Sequence, residues 1–159
     1  ITLILGGPTK YYSYSKEHII QIFSKINKQI LEKNLQLILI PSNRTPENII
    51  HFAKEYFNKN SLIVDSVDKQ AYLSSLSLAK YIIVTCDSSS MISEAALTEK
   101  PIYVAMIPAT RSDKRFQKFR NLLESMNIIR KLEYEMDTWS YEKLDETNRI
   151  ARIIKEKLS

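Results

Sequence analysis

Short apolar runs alternate along this chain with longer segments in which apolar residues recur every three or four positions. A run of the first kind reads as a buried strand and a segment of the second as an amphipathic helix. Residues 2–5 form a first strand that ends at Gly6. Residues 16–33 form a first helix, with Ile19, Phe23, Ile26 and Ile30 on one face. Residues 35–40 are a second strand closed by Pro41. Thr45-Pro46-Glu47 then opens a helix that runs to about Phe57. There Thr45 is the expected N-cap, Pro46 the first helical residue, and Glu47 an acid in the first turn. Residues 61–65, 81–85 and 101–106 are further strands, and residues 69–79 and 114–126 further helices. A serine-rich turn after Thr85 leads into a helix ending near Glu99. Asn127 suits the left-handed position after a helix. A last helix covers residues 145–158, with Ile150, Ile153 and Ile154 on one face.

Strict alternation of strands and helices with short links predicts a parallel sheet covered on both sides. Right-handed crossovers make it a doubly wound, Rossmann-like α/β domain of about five or six strands. No internal repeat or linker divides the chain, so residues 1–159 read as one domain. The chain enters its first strand at Ile1, without a methionine, which reads as one domain of a longer protein.

In such sheets a ligand lies beyond the carboxyl ends of the strands, where the strand order reverses. With a 3-2-1-4-5 order, that crevice falls between strands one and four. The loops there are residues 6–15 and 86–90, the two least ordinary stretches of the sequence. Gly6 and Gly7 are the only glycines among 159 residues, where average usage gives about ten. Glycine permits positive φ and lets backbone approach a ligand closely, and Pro8 stiffens the turn. A Gly-Gly-Pro turn suits either a phosphate or sugar packed on main chain or a tight strand-to-helix turn. It matches neither the dinucleotide fingerprint nor the P-loop.

The second loop reads Thr85-Cys86-Asp87-Ser88-Ser89-Ser90 and starts a helix. Free N–H groups and the dipole at such a start attract anions, and the serine hydroxyls add donors. Ser90 and Glu94, four apart, share a helix face. A carboxylate at Glu94 is placed to accept two ribose hydroxyls. Asp87 would repel a phosphate, and its alternative role is a helix cap. Arg44, in the loop after the second strand, is a candidate for bidentate phosphate binding. His18, near the start of the first helix, is a candidate base, and His51 is expected to pack. An Asp65/Thr85 pair at strand ends is also found in receiver domains. Those need an acidic pair where this chain has Gly6 and Gly7, and a lysine after strand five.

The formal charge is +5. No nucleic-acid recognition motif accompanies it, so nucleic acid is not an expected partner. The stretch 111–120 carries five basic residues against one acid. It reads as a diphosphate neutraliser, a docking site for a protein partner, or a solvated face. Phe116 and Phe119 within it are expected in the core. One cysteine, Cys86, excludes an internal disulfide and a cysteine-rich metal site. It reads as a structural thiol and fits a reducing, cytoplasmic setting. No run approaches the length of a membrane span. No Asp-x-Asp metal motif occurs, so neither a metal nor a cofactor is expected.

Several motifs occur together in order: Leu5-Gly6-Gly7-Pro8-Thr9-Lys10, Ser42-Asn43-Arg44-Thr45-Pro46, and the run from Val84 through Ser88, Ser89, Ser90 and Glu94 to Ala95. Lys100-Pro101-Ile102-Tyr103-Val104, then Phe116, Phe119 and Trp139-Ser140-Tyr141, follow. In these the chain resembles the carboxyl-terminal half of the mitochondrial-fission Elm-one family, which is similar to GT-B glycosyltransferases. The resemblance implies a half that binds a nucleoside diphosphate or nucleotide sugar. Glu94 would hold the donor ribose, while Gly6, Gly7, Ser88, Ser89 and Ser90 would face the diphosphate. Arg44, Lys10 and Asp87 complete the candidate binding set. It also implies an amino-terminal partner domain absent from this chain, which would supply the acceptor-side base. No catalytic residue is therefore assigned, and this half alone is not expected to catalyse transfer. Glycosyl transfer is not an established activity of that family as a whole and its plant member acts in recruitment, which makes a non-catalytic scaffold the alternative. The sequence departs from the family pattern at Cys86, Glu99 and Asn127, where glycine or another small residue is expected. With its partner domain missing, the chain is expected to expose apolar surface at Trp139, Tyr141 or the Ile150/Ile154 face.

Overall fold

The structure is a computed structural model that describes residues 1–57, 61–133, 135–144 and 146–158. Its strands are β1 (Thr2–Leu5), β2 (Leu37–Pro41), β3 (Ser61–Ile63), β4 (Ile82–Thr85), β5 (Ile102–Ala105) and β6 (Ile129–Lys131). The intervening helices are α1 (Lys16–Lys33), α2 (Glu47–Tyr56), α3 (Lys69–Leu78), α4 (Ser89–Ala96) and α5 (Lys114–Ser125), with α6 (Glu146–Leu158) last. All the strands pair in parallel, in the order β3-β2-β1-β4-β5-β6. Chain order reverses between β1 and β4, whose registers join Thr2 to Ile82 and Ile4 to Val84. Helices cover both faces, so β1, β4 and β5 are buried along their whole lengths.

α1 shows how pattern becomes packing. Ile19, Ile22, Phe23, Ile26 and Ile30 are its buried apolar stripe. Phe23 stacks on Phe52 of α2 at 5.7 Å and tilts against Phe57 at 4.8 Å. Ser15 caps the helix by accepting from the N–H of His18. Asn34 ends it in the left-handed conformation at φ 49°. The N–H of Leu35 still bonds back to the Ile30 carbonyl at 3.0 Å. Leu35 thus belongs to the helix cap, and β2 begins at Leu37 rather than at residue 35.

At α2 the first turn starts one residue later than expected, with Pro46 in the N-cap position and Glu47 first. Thr45 does not cap the helix. Its hydroxyl accepts from the Ser42 N–H at 2.8 Å and points to the Leu5 carbonyl at 2.7 Å, tying the β2 loop to β1. β6 is an edge strand that the pattern did not locate. It follows Asn127, which is left-handed at φ 55°, as is Glu99 at φ 60°. Both are positions that favour glycine, so their residues depart from the family pattern where the backbone makes glycine useful.

The segment after β6 returns across the sheet. Trp139 donates to the Asn127 carbonyl at 2.8 Å and meets Tyr103 edge-on at 5.1 Å. Tyr141 donates to the Lys100 carbonyl at 3.0 Å. Trp139 and Tyr141 are therefore partly enclosed. Of the positions expected to be open, those on α6 are: Ile150, Ile153 and Ile154 are all exposed. Residue 145, the expected start of that helix, lies outside the described residues.

Candidate functional site

The crevice between β1 and β4 is built around Asp87. β1 ends at Leu5, and the next two N–H groups turn towards the β4 loop. Gly6 donates to Thr85 Oγ1 at 2.8 Å and Gly7 to Asp87 Oδ2 at 3.3 Å. Neither glycine has positive φ, so of the two freedoms glycine offers, only the close approach is used. Space is what requires glycine here. A Cβ on Gly6 would lie 2.3 Å from the Asp87 carboxylate, and one on Gly7 would lie 1.9 Å from the Arg44 carbonyl oxygen. The close approach that the Gly-Gly pair permits is to the protein's own loops.

The Asp87 side chain is fully enclosed. Its Oδ2 accepts from Arg44 Nη2 at 2.7 Å and its Oδ1 from the Tyr14 hydroxyl at 2.5 Å. Burial, followed by the Asp87 charge, pushes the Tyr14 phenol well above its usual pKa, so it stays a donor. Arg44 Nη1 donates to the Gly7 carbonyl at 2.8 Å. Arg44 thus bridges two loops of its own chain. Asp87 does not cap α4, contrary to the alternative read from the sequence. Ser88 caps it, accepting from the Met91 N–H at 3.4 Å.

With Asp87 turned inward, the start of α4 presents polar groups outward. Of the three serines Ser90 is exposed, Ser89 is half-buried and Ser88 is buried, with Ser88 Oγ and Ser90 Oγ 3.1 Å apart. Glu94 follows one turn along, about 6 Å by helix rise, and is also exposed. Its Oε2 accepts from the Tyr72 hydroxyl of α3 at 2.8 Å. Burial, and then the bond to Glu94, raise the Tyr72 phenol pKa. A cavity of about 500 Å³ runs between α3 and α4, lined by Tyr72, Leu73, Leu76, Glu94 and Leu97 among others. Sequence reasoning missed Tyr72. Its partner is 22 residues away on another helix, so only the packing of α3 on α4 reveals it.

A second network joins the loops after β1 and β5. Tyr12 pairs with Ala109 in an isolated bridge, and the Thr110 N–H donates to the Tyr11 carbonyl at 2.7 Å. Beneath them Arg120 is buried. It donates to the Tyr12 hydroxyl at 2.9 Å, to the Cys86 carbonyl at 3.2 Å and to Asp113 at 2.9 Å. Tyr12 donates to the same Asp113 oxygen at 2.5 Å. Hydrogen bonds from Tyr12 and Arg120 hold the Asp113 carboxyl below its usual pKa. Burial opposes the Arg120 charge, but its bonds to Asp113 and Tyr12 outweigh that and raise its pKa. One of the five basic residues of 111–120 is therefore internal, while Arg111, Lys114, Arg115 and Lys118 are exposed. Phe116 is half-buried, edge-on to Tyr11 at 5.5 Å, and Phe119 packs on the core.

The remaining candidates are placed as follows. Lys10 is exposed, with its ammonium 5.0 Å from the Tyr11 ring centre. Cys86 is buried, and burial pushes its thiol pKa up to about 11. His18 has a buried Nδ1 without a hydrogen-bond partner among the described residues. His51 is exposed rather than packed and lines a cavity of about 370 Å³ between α1 and α2. Among the described residues no three His, Cys, Asp or Glu side chains gather as a metal site. Among them no helix is long and apolar enough to cross a membrane.

A doubly wound parallel sheet with its crevice at the β1/β4 reversal is a Rossmann-like domain of the kind found in GT-B proteins. Its fold matches *Methanocaldococcus jannaschii* UDP-GlcNAc 2-epimerase, solved with UDP-GlcNAc and UDP, at TM-score 0.52 and 18% identity. That match covers 98% of this chain and 45% of the epimerase. The *Staphylococcus aureus* MnaA–UDP structure matches at TM-score 0.51 and 14% identity, over 99% of this chain and 45% of that one. The sequence pattern of the family described as mitochondrial fission ELM1 matches residues 1–158, and the chain belongs to that family. An uncharacterised *Rickettsia prowazekii* protein, RP120, is 32% identical over 96% of this chain, which spans 45% of RP120. *Arabidopsis thaliana* mitochondrial fission protein ELM1 is 28% identical over 74% of this chain, a match that spans 28% of the plant protein.

Proposed function

We propose that this chain is the donor-binding half of a glycosyltransferase-like protein and takes a nucleoside diphosphate or nucleotide sugar. The observation that carries the reading is the outward face of α4. It sets Ser90 at the helix start and the Glu94 carboxylate one turn along. In this reading the diphosphate meets the free N–H groups and serine hydroxyls of that start, and the ribose hydroxyls donate to Glu94. The UDP in both solved structures of like fold supports a nucleotide as the ligand. Arg44 does not lead the binding of phosphate, because its terminal nitrogens face Asp87 and Gly7. Where a diphosphate leaves, the donors of the α4 start stabilise its charge. A second domain closes the cleft and brings the acceptor, in a reducing, cytoplasmic setting that suits the Cys86 thiol.

A thermal-shift screen of the full-length protein against UDP, GDP, CDP and ADP tests this. A ligand at a hundred times its Kd adds about 2.7 kcal/mol, which moves Tm by several degrees. One nucleotide should do so selectively. No shift with any of them contradicts the reading.

A scaffold that recruits a protein partner is the second reading. It is favoured by the exposed Arg111, Lys114, Arg115 and Lys118, for which the described residues offer no ion-pair partner. Its mark would be an acidic partner whose binding weakens with salt and is indifferent to Glu94→Ala.

A further inference from the structure

Glu94 does not stand free. Its carboxylate is held by a tyrosine whose own backbone is bonded at both its N–H and its carbonyl. Asp68 caps α3, accepting from Gln70 and Ala71 at 2.8 and 2.9 Å, and the Tyr72 N–H bonds to the Asp68 carbonyl at 2.9 Å. The Ser75 hydroxyl donates to the Tyr72 carbonyl at 2.8 Å, and the Ser75 carbonyl accepts from Thr2 of β1 at 2.8 Å. The first turns of α3 are thereby pinned to the central strand. From that anchored position the Tyr72 hydroxyl reaches Glu94 Oε2 at 2.8 Å.

We propose that Tyr72 is a positioning residue that gives this site its preference for a vicinal diol, and so for ribonucleotides. The inference rests on the reading of Glu94 as the ribose carboxylate. An exposed glutamate has several rotamers, and ordering one of them on binding opposes binding. Tyr72 holds the carboxylate in place beforehand. A carboxylate has about four lone-pair sites, and the tyrosine takes one. Each oxygen still has room for one hydroxyl, so the 2′ and 3′ hydroxyls can donate to the two oxygens side by side. A sugar lacking them gains nothing from the held carboxylate. The phosphate end fits the same line, because Ser90 lies about 6 Å back along the helix.

The test is calorimetric titration of UDP and of 2′,3′-dideoxy-UDP into the full-length protein, its Tyr72→Phe variant and its Glu94→Ala variant. Wild type should prefer UDP by roughly tenfold or more. Tyr72→Phe keeps the ring in the groove and removes one hydroxyl. It should weaken UDP roughly three- to tenfold and leave dideoxy-UDP within about twofold, so that the preference shrinks. Glu94→Ala should abolish the preference. If Tyr72→Phe weakens both ligands equally, or neither, the tyrosine is structural and the inference is overturned while the reading of Glu94 stands. If UDP binds but Glu94→Ala keeps the preference, or if none of UDP, GDP, CDP and ADP binds wild type, the reading of Glu94 fails and the inference falls with it. Where GDP, CDP or ADP binds instead of UDP, that nucleotide and its 2′,3′-dideoxy form take its place in the same comparison.

Discussion

Arg44 meets Asp87 at 2.7 Å, across the gap between the loops that follow β2 and β4. The pair is one-sided: the Arg44 side chain is 40% exposed, while that of Asp87 is fully enclosed. Removing the cation leaves a buried charge supported only by neutral donors, among them Tyr14 and Gly7. Breaking such a pair from one side is strongly unfavourable. Arg44→Met is expected to destabilise the protein by about 2–4 kcal/mol in urea unfolding. A change under about 0.5 kcal/mol would show that the Arg44–Asp87 pair does not hold the loops.

The two glycines differ in what a methyl group would meet. At Gly6 it meets the end of the Asp87 side chain, and at Gly7 it meets the backbone carbonyl of Arg44. A side chain can turn aside more readily than main chain. Both Gly6→Ala and Gly7→Ala are expected to destabilise, Gly7→Ala more severely, by about 3 kcal/mol or more. Thermal melts of the two variants check the order, and equal melting temperatures would count against it.

Acid should act through Asp113. Its carboxyl is held below the usual value by hydrogen bonds from Tyr12 and Arg120. A depressed pKa in the fold gives stability that is complete above the unfolded value, about 3.9. That contribution is lost as pH falls through the lower folded value. Asp113→Asn is expected to lower stability at pH 7 by about 1–3 kcal/mol and to flatten the acid limb below about pH 4. Unfolding midpoints measured from pH 2 to pH 7 read both effects.

Cys86 should be inert in the folded protein. Its thiol lies under Ile107, accepting from that N–H at 3.3 Å, and burial lifts its pKa to about 11. At pH 8 it should react with a thiol reagent roughly a hundredfold more slowly than the urea-unfolded chain. A raised pKa gives stability that is intact below the unfolded value, about 8.5. It is lost as pH rises through about 11. A native rate equal to the unfolded one would refute the burial.

Much of the architecture was legible because periodicity is local. Ile19, Phe23, Ile26 and Ile30 announce α1 without help from the rest of the chain, and all four are buried. β6 was not legible, since an edge strand reading Ile-Arg-Lys carries no alternation. Leu35 looked like strand, but its N–H belongs to the cap of α1. The reversal of strand order was placed correctly by topology, between β1 and β4. What the loops at that reversal hold was not legible. A glycine pair reports room for a close neighbour and does not say whether that neighbour is a ligand or a carboxylate 80 residues away. Arg44 and Asp87 are 43 residues apart, so Arg44 looked free for phosphate and Asp87 looked like a helix cap until the loops were brought together. Arg120 shares a helix face with Phe116 and Leu123, and that spacing was the signal of its burial.

The most direct test of the account is the affinity of UDP for full-length wild type and for Glu94→Ala, measured by calorimetry. The account predicts a single site in the wild type that Glu94→Ala weakens at least about tenfold, as expected for hydrogen bonds to a carboxylate. Equal affinity in the two proteins, or no binding of UDP, GDP, CDP or ADP to the wild type, would contradict it.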